Sequence, residues 1–249
     1  MAKAQPEART GNQLLDHLPA GELDKLLPHA RRVTFRARQD LSRPNDPASP
    51  VYFPIDSVFS LLLPMQDGRQ LEVGIVDHEG LLGIPAVLGL PFNPLRATTQ
   101  IPGDCLRFAP DRFAESLRDC PTLDGLVRRY IAYGWRSACQ NAACNLLHTV
   151  EQRMSRWLLM VQDRTRTAEF PLTQEFLSEM LGVSRQTVTV TAGALQAAGL
   201  IDYGRGRVRV VDRAGLEATC CECYQALRDA YLQIMGFRLT APAARAGGR

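Results

Sequence analysis

Two hydrophobic spacings divide the chain. Between residues 32 and 108 apolar positions alternate with polar ones in short runs, and from residue 121 onward they recur every three to four residues. The first spacing fits strands buried on one face and the second fits amphipathic helices. The strand-like runs are 33–35, 51–53, 58–63, 71–76, 97–101 and 105–108. Turn material separates them, as in Pro44-Asn45-Asp46-Pro47, Asp67-Gly68 and Pro102-Gly103-Asp104. Asp67-Gly68 between two apolar runs marks a hairpin. Strands at these intervals predict a small barrel or sandwich rather than a parallel sheet. Upstream, Leu14, Leu15, Leu18, Leu23, Leu26 and Leu27 form two short helical patterns split by Pro19, and the polar residues 1–11 are expected to fray. Residues 80–89 are glycine-rich and apolar, which predicts a turn and a short helix over the barrel mouth. They carry neither a Gly-x-Gly-x-x-Gly run nor a P-loop Lys/Ser pair, so an NTPase reading fails.

Pro121 opens a long helical pattern that runs to about residue 147. Leu123, Leu126, Val127, Tyr130, Ile131, Gly134, Ala138, Asn141 and Asn145 form one stripe along it, apolar at first and small later. Such a stripe suits pairing with a second copy or packing on the preceding strands, and both readings can hold at different ends. Thr149 and Gln152 form a capping box, so a new helix is expected from Val150, with the domain joint at 147–149. Met154, Trp157, Leu158, Leu159 and Val161 supply the core of the second domain. Near the C-terminus Asp212 is expected to cap one last helix, with Leu216, Cys220, Cys223, Tyr224, Leu227, Tyr231 and Ile234 on one face. Residues 240–249 have the Ala/Gly/Pro/Arg composition of a disordered tail.

Residues 172–211 carry the chemistry. Thr173 can cap a short helix whose first turn holds Gln174 and Glu175, where the helix dipole favours an acid. Phe176, Leu177, Met180 and Leu181 give that helix an apolar face, and Gly182 supplies the positive φ of a tight stop. Ser184 caps a second helix two residues later, which Gly199 ends. Two short helices joined by a glycine-bearing turn form a helix-turn-helix, whose second helix enters the major groove. Residues 200–203 and 208–211 then read as two strands around Gly204-Arg205-Gly206-Arg207, a basic wing suited to the phosphate backbone.

Charge adds a little to this. The net charge is +3, and the segment from residue 151 onward, with 13 basic and 10 acidic side chains, carries all of it. No apolar run approaches the ~20 residues of a membrane helix and no secretory pattern opens the chain, so a cytoplasmic protein is expected. The seven cysteines are then expected as free thiols. No Cys-x-x-Cys pair occurs, Cys221-Glu222-Cys223 is too close for the usual zinc spacing, and Cys144 with His148 has no evident second pair of ligands. No metal site and no cofactor are therefore expected. No metalloprotease helix, nucleophile elbow or spaced acid pair points to an enzyme.

Strands, a long connecting helix and a winged helix-turn-helix, in that order, resemble the CRP/FNR (cyclic-AMP receptor protein/fumarate–nitrate regulator) transcription regulators. The most specific part is Leu181-Gly182-Val183-Ser184-Arg185-Gln186-Thr187-Val188, close to the family's Gly-x-Ser-Arg-Glu-Thr-Val recognition motif. Val51-Tyr52-Phe53, Asp67-Gly68 and residues 80–83 look like its β-roll landmarks. The resemblance implies an α+β chain: a β-roll of the cyclic-nucleotide-binding-like jelly-roll kind at 12–120, a dimerisation helix at 121–148 and a winged helix-turn-helix at 149–239. It also implies a homodimer that reads a two-fold symmetric operator in double-stranded DNA and touches RNA polymerase. Leu123, Val127, Tyr130, Gly134, Ala138 and Asn141 would then line the dimer helix.

By the same resemblance Arg185 is expected to read a guanine, which its planar fork suits. Gln186 stands where a glutamate often sits and can pair with adenine, and Val190 offers only apolar contact to a thymine methyl. Gln174, Ser184, Thr187, Thr189, Arg205 and Arg207 complete the expected DNA-contacting set. The effector pocket departs from the family's nucleotide binders. Ile84 follows Gly83 where a ribose-binding glutamate is expected, and Leu95, ahead of Arg96 and Ala97, takes the place of the phosphate-clamping arginine. A phosphate buried there would be unpaired, at a cost of several kcal/mol, so control by cyclic AMP is not expected. The oxygen sensors' N-terminal cysteine cluster is also missing, since the first cysteine is Cys105. The alternative is a small-molecule, haem or redox sensor that signals by protein contact with weak or no DNA binding, with Cys105, Cys139, Cys144 and His148 as its candidate residues.

Overall fold

The computed structural model describes residues 10–165 and 167–239. Two short helices, α1 (Gln13–Asp16) and α2 (Ala20–Leu26), lead into strands β1 (Arg31–Phe35), β2 (Asp40–Ser42), β3 (Val51–Pro54), β4 (Val58–Pro64) and β5 (Gln70–Val76). A one-turn helix α3 (Ile84–Val87) precedes β6 (Arg96–Ile101) and β7 (Gly103–Phe108), followed by α4 (Pro110–Asp119) and the long α5 (Pro121–Leu147). The C-terminal part holds α6 (Val150–Thr165), β8 (Glu169–Pro171), α7 (Gln174–Leu181), α8 (Arg185–Ala197), β9 (Ile201–Gly204), β10 (Arg207–Val210), α9 (Arg213–Thr219) and α10 (Cys223–Met235). The expected tail at 240–249 lies outside the described residues. The expected fraying at 1–11 does not extend to residue 10, because the Thr10 hydroxyl donates to Asp16 at 2.8 Å.

Seven strands form two antiparallel sheets, ordered β1-β7-β3 and β2-β6-β4-β5, and Phe35, Tyr52, Phe59, Val76, Leu82, Ala97 and Cys105 pack between them. All six strands read from the alternation are present. β2 was not expected: Asp40-Leu41-Ser42 is too short and polar to show alternation, and only pairing with Thr98 and Ala97 makes it a strand. Asp67-Gly68 closes the β4–β5 hairpin. Gly83 takes φ +95° where a Cβ would lie 2.7 Å from the Pro50 carbonyl oxygen, so the chain can enter α3 there only without a side chain.

The modules share two cores. Leu14, Leu23, Phe53, Phe108, Leu123, Val127 and Tyr130 form one, and Tyr231 and Met235 of α10 return to it from the far end of the chain. The Tyr231 hydroxyl donates to the Glu79 carbonyl at 2.8 Å. Val58, Leu62 and Ile101 from the strands join Trp157, Leu177, Val188, Leu195, Val208 and Leu216 in the other. Buried Arg164 of α6 pairs with Asp77 and Glu79 in the loop after β5.

The stripe along α5 divides between its two readings, and one expectation for the helices is corrected. Leu123, Val127 and Tyr130 are buried in the chain's own core, and the Asn141 side chain donates to Val73 O at 3.0 Å and accepts from Arg156 at 2.9 Å. These four are therefore spent within the chain, while Gly134 is half-buried and Ala138 exposed. The single helix expected after Asp212 is in fact α9 and α10, because Cys220 turns to an extended backbone (φ −72°, ψ 161°). Neither glycine nor proline marks that break, so the residue pattern gave no sign of it.

Candidate nucleic-acid interface

Local capping builds the helix-turn-helix. The Thr173 hydroxyl accepts from Phe176 N at 3.2 Å, and the Ser184 hydroxyl accepts from Thr187 N at 3.1 Å. Between them Gly182 takes φ +64°, which ends α7 and lets α8 start at a new angle. Val188, Ala192 and Leu195 bury one side of α8. The opposite side presents Arg185, Gln186, Thr189 and Val190 as exposed residues, and Val190 is 68% exposed.

Not every expected contact residue is equally free. The Thr189 hydroxyl donates to Arg185 O at 2.9 Å, and the Ser184 and Thr187 hydroxyls lie 2.9 Å apart. Arg185 pairs with Glu175 of α7, so its guanidinium is engaged within the chain. Gln174 is the exposed first residue of α7.

The wing is a three-stranded sheet ordered β8-β10-β9. Its outer strand β8 was not expected, since Glu169-Phe170-Pro171 carries too short a pattern and pairs only through β10. Arg207 is tied to Glu169 and Arg209 to Asp202, the latter at 3.0 Å. Arg205 sits at the hairpin tip with φ +52°, exposed. The helix-turn-helix leans on the β-roll at two places: a Cβ on Gly182 would lie 2.8 Å from Leu71 Cδ1 of β5, and Arg38, between β1 and β2, donates to the Thr173 hydroxyl at 3.1 Å.

Inside the β-roll a cavity of 170 Å³ is lined by Leu41, Tyr52, Leu61, Leu82, Gly83, Ile84, Leu95 and Ala97, with Ser42, Ser49 and Asn93 as its polar members. Four of the five expected effector-site residues meet there. Arg96 does not, because its guanidinium is held by Asp40 at 3.0 Å and Gln70 at 2.7 Å. No charged side chain lines this cavity among the described residues.

The fold brings a second pair of ligand-type side chains to Cys144 and His148. Cys221 and Cys223, brought round by the α9–α10 break, join them in one cluster. A Cys-x-x-x-His at a helix end and a distant Cys-x-Cys were the only sequence signals, and neither spacing is diagnostic alone. Cys105 and Cys139 lie apart from it. Burial pushes the Cys105 thiol up to about 12, and Cys139 is exposed.

A two-sheet β-roll, a 27-residue connecting helix and a winged helix-turn-helix define a class of DNA-binding regulator. The family model of the Crp-like helix-turn-helix domain matches residues 152–219. The CRP-like protein Clp of Xanthomonas campestris pv. campestris is 35% identical over 208 residues, covering 78% of this chain and 89% of Clp. The transcriptional activator protein FnrL of Cereibacter sphaeroides is 27% identical over 174 residues, 65% of this chain and 69% of its own. Among solved structures, the c-di-GMP responsive global regulator CLP of Xanthomonas campestris matches with a TM-score of 0.66 at 19% identity, over 78% of this chain and 100% of that one. FixK2 from Bradyrhizobium japonicum matches equally well, at 16% identity over 77% and 98%. The chain belongs to the CRP/FNR family of transcription regulators.

Proposed function

We propose that the protein is a homodimeric, cytoplasmic, sequence-specific DNA-binding regulator that does not answer to cyclic AMP and that contacts RNA polymerase as the family resemblance implies. The observation that carries the DNA reading is the open side of α8, where Arg185, Gln186 and Val190 project beside a wing bearing Arg205 and Arg207. An exposed guanidinium, amide and isopropyl group on one side of a helix are the chemistry that reads guanine, adenine and a thymine methyl. Gln174, Ser184 and Thr187 stand around the two helix starts, where backbone N–H groups and hydroxyls favour phosphate.

The proposal on cyclic AMP rests on the cavity lining. A cyclic phosphate seated between Ile84 and Leu95 would meet no cation, since Arg96 is held outside by Asp40 and Gln70. An apolar ligand suits those walls better. Dimerisation is supported by the far half of α5, where Trp135, Ala138, Ala142 and Leu146 are exposed at helical spacing.

Selection of duplexes from a random pool tests the reading. The expected product is a two-fold symmetric site whose binding weakens steeply with salt, without any need for cyclic AMP. Recovery of no enriched sequence would overturn it, and a requirement for cyclic AMP would overturn the effector part.

A further inference from the structure

Four potential ligand atoms, the Sγ of Cys144, Cys221 and Cys223 and a ring nitrogen of His148, lie within 4.8 Å of one another. Cys144 sits in the last turns of α5 and His148 caps its end, while Cys221 and Cys223 come from the α9–α10 corner. The Cys144 and Cys221 sulfurs are 3.6 Å apart, and the Cys223 sulfur is 3.7 Å from His148 Nδ1. A tetrahedral zinc with ordinary bond lengths sets its sulfur–sulfur edges at about 3.8 Å and its sulfur–nitrogen edges at about 3.6 Å. Both observed edges match these values closely.

The surroundings favour a bound cation independently of that match. The other ring nitrogen, His148 Nε2, is 3.0 Å from the Glu222 carboxylate, an arrangement that fixes the tautomer with Nδ1 free to coordinate. The Gln140 amide donates to the Cys223 sulfur at 2.9 Å, as a coordinated thiolate would invite. Arg153 and Arg156 of α6 are both buried beside the cysteines, and the Nε of each has no hydrogen-bond partner. Three thiolates, a neutral imidazole and a divalent cation carry one net negative charge, which offsets one of the two positive charges on those guanidiniums. Three neutral thiols would offset neither.

We propose that Cys144, His148, Cys221 and Cys223 form a closed Cys₃His site for one zinc ion that clamps the end of α5 to the corner between α9 and α10. Binding forms three Zn–S bonds and one Zn–N bond and releases the three thiol protons to solvent. Ligand atoms this close suit a single ion. An iron–sulfur cluster divides its four protein ligands between two or more irons, which sets ligands on different irons wider apart than the 4.8 Å that encloses all four atoms here, and a haem plane does not fit among the four groups. The clamp spans the joint around α6, so the ion would set the angle at which the long helix meets the DNA-binding module.

The test is metal analysis of the full chain purified under thiol reductant without chelator. The expected result is about one zinc per chain, and cobalt(II) exchanged into the site should give thiolate charge-transfer bands with the visible pattern of a tetrahedral ion. Cys144→Ser and Cys223→Ser should lose the metal, whereas Cys139→Ser, outside the cluster, should keep it. Because the cysteine variants can fail to fold, Glu222→Gln provides a milder probe. Its side chain is exposed, and its loss should weaken zinc binding about tenfold against a chromophoric chelator. Metal-free protein that gives no cobalt spectrum would overturn the proposal. So would full zinc retention by both cysteine variants, or a Cys144–Cys221 disulfide persisting in reductant.

Discussion

The indole Nε1 of Trp157 donates to the buried carboxyl of Glu72 at 3.0 Å, joining β5 of the β-roll to α6 of the DNA-binding module. Both side chains are almost wholly enclosed, so the bond lies in a medium that penalises charge. Burial pushes the Glu72 carboxyl up to about 7, against the opposing pull of its hydrogen bonds and of Arg156 and Arg164. The joint between the modules therefore contains an acid that changes charge near neutrality.

That acid sets a pH dependence whose sign is opposite to the usual carboxylate case. The folded state holds the Glu72 proton more tightly than the unfolded chain, so its contribution is fully present below about pH 4.5 and is lost as pH rises through about 7. The full span is on the order of 3 kcal/mol. Glu72→Gln keeps an acceptor for Trp157 and removes the charge. The variant should match the parent near pH 5 and be more stable near pH 8 by ~1–3 kcal/mol in denaturant unfolding. Equal stabilities at both pH values would show that Glu72 ionises in the fold without penalty.

Arg185 is held by Glu175 in the free protein, and both are exposed. Arg185→Ala should weaken operator binding by ~1–3 kcal/mol and relax preference at one base pair. Glu175→Gln removes the competing carboxylate, and an exposed pair of this kind makes a difference of about two- to fivefold in affinity, here in favour of DNA. Tighter binding by the Glu175 variant in a fluorescence titration, alongside loss in the Arg185 variant, places the arginine in the groove. An unchanged affinity and sequence preference in Arg185→Ala would assign base reading elsewhere.

The wing makes a different demand. Arg205 sits in the β9–β10 turn and Arg207 opens β10, and each phosphate they neutralise releases counterions. Replacing either with alanine should lower affinity by a similar factor on every sequence and reduce the slope of log K against log salt by ~1. A change confined to one base position would mean that the wing reads sequence.

These residues were legible in the sequence because capping and turn chemistry act over three or four positions. Ser184 with Thr187, Thr173 with Phe176, Asp212 with Gly215 and Thr149 with Gln152 all bond as their spacing implies. What spacing cannot show is what partners at long range impose. β2 and β8 exist because β6 and β10 offer them edges, and the halt after α9 comes at Cys220 with no breaker residue nearby. The cysteine cluster was hidden for the same reason, since Cys144 and Cys221 are 77 positions apart and meet only through that halt. The stripe on α5 left two readings open for a related reason. Its period is right for a buried face, but a period cannot say whether the cover is the same chain or another.

Gly83 tests how tightly the β-roll mouth is specified. Its φ of +95° disfavours any side chain, and a Cβ there would approach Pro50 O to 2.7 Å and Val51 Cα to 2.9 Å, both backbone atoms of β3 or its approach. Backbone cannot yield as a flexible side chain does, so Gly83→Ala should cost ~2 kcal/mol or more. Thermal unfolding of the variant measures this. A loss below ~0.5 kcal/mol would mean that α3 can shift away from the cavity, which would then be less rigidly walled than the fold indicates.

The two halves of α5 should respond differently to the same kind of change. Leu123 and Val127 are sealed inside the protomer, so Leu123→Ala should cost ~2–5 kcal/mol of stability through the cavity it leaves. Its effect on assembly should be no greater than the instability itself brings. Leu146, by contrast, is 84% exposed on the far half, in line with Trp135, Ala138 and Ala142. Leu146→Glu should leave the unfolding midpoint of the protomer nearly unchanged, because a charge is well solvated there. In a dimer the same position would face its twin, and two carboxylates brought together in an apolar seam repel and lose their water. Sedimentation should therefore show Leu146→Glu as a monomer at concentrations where the parent chain is dimeric, with DNA affinity falling because both half-sites are no longer held by one particle. If Leu146→Glu remained a dimer, the contact between copies would have to be sought away from the exposed end of this helix.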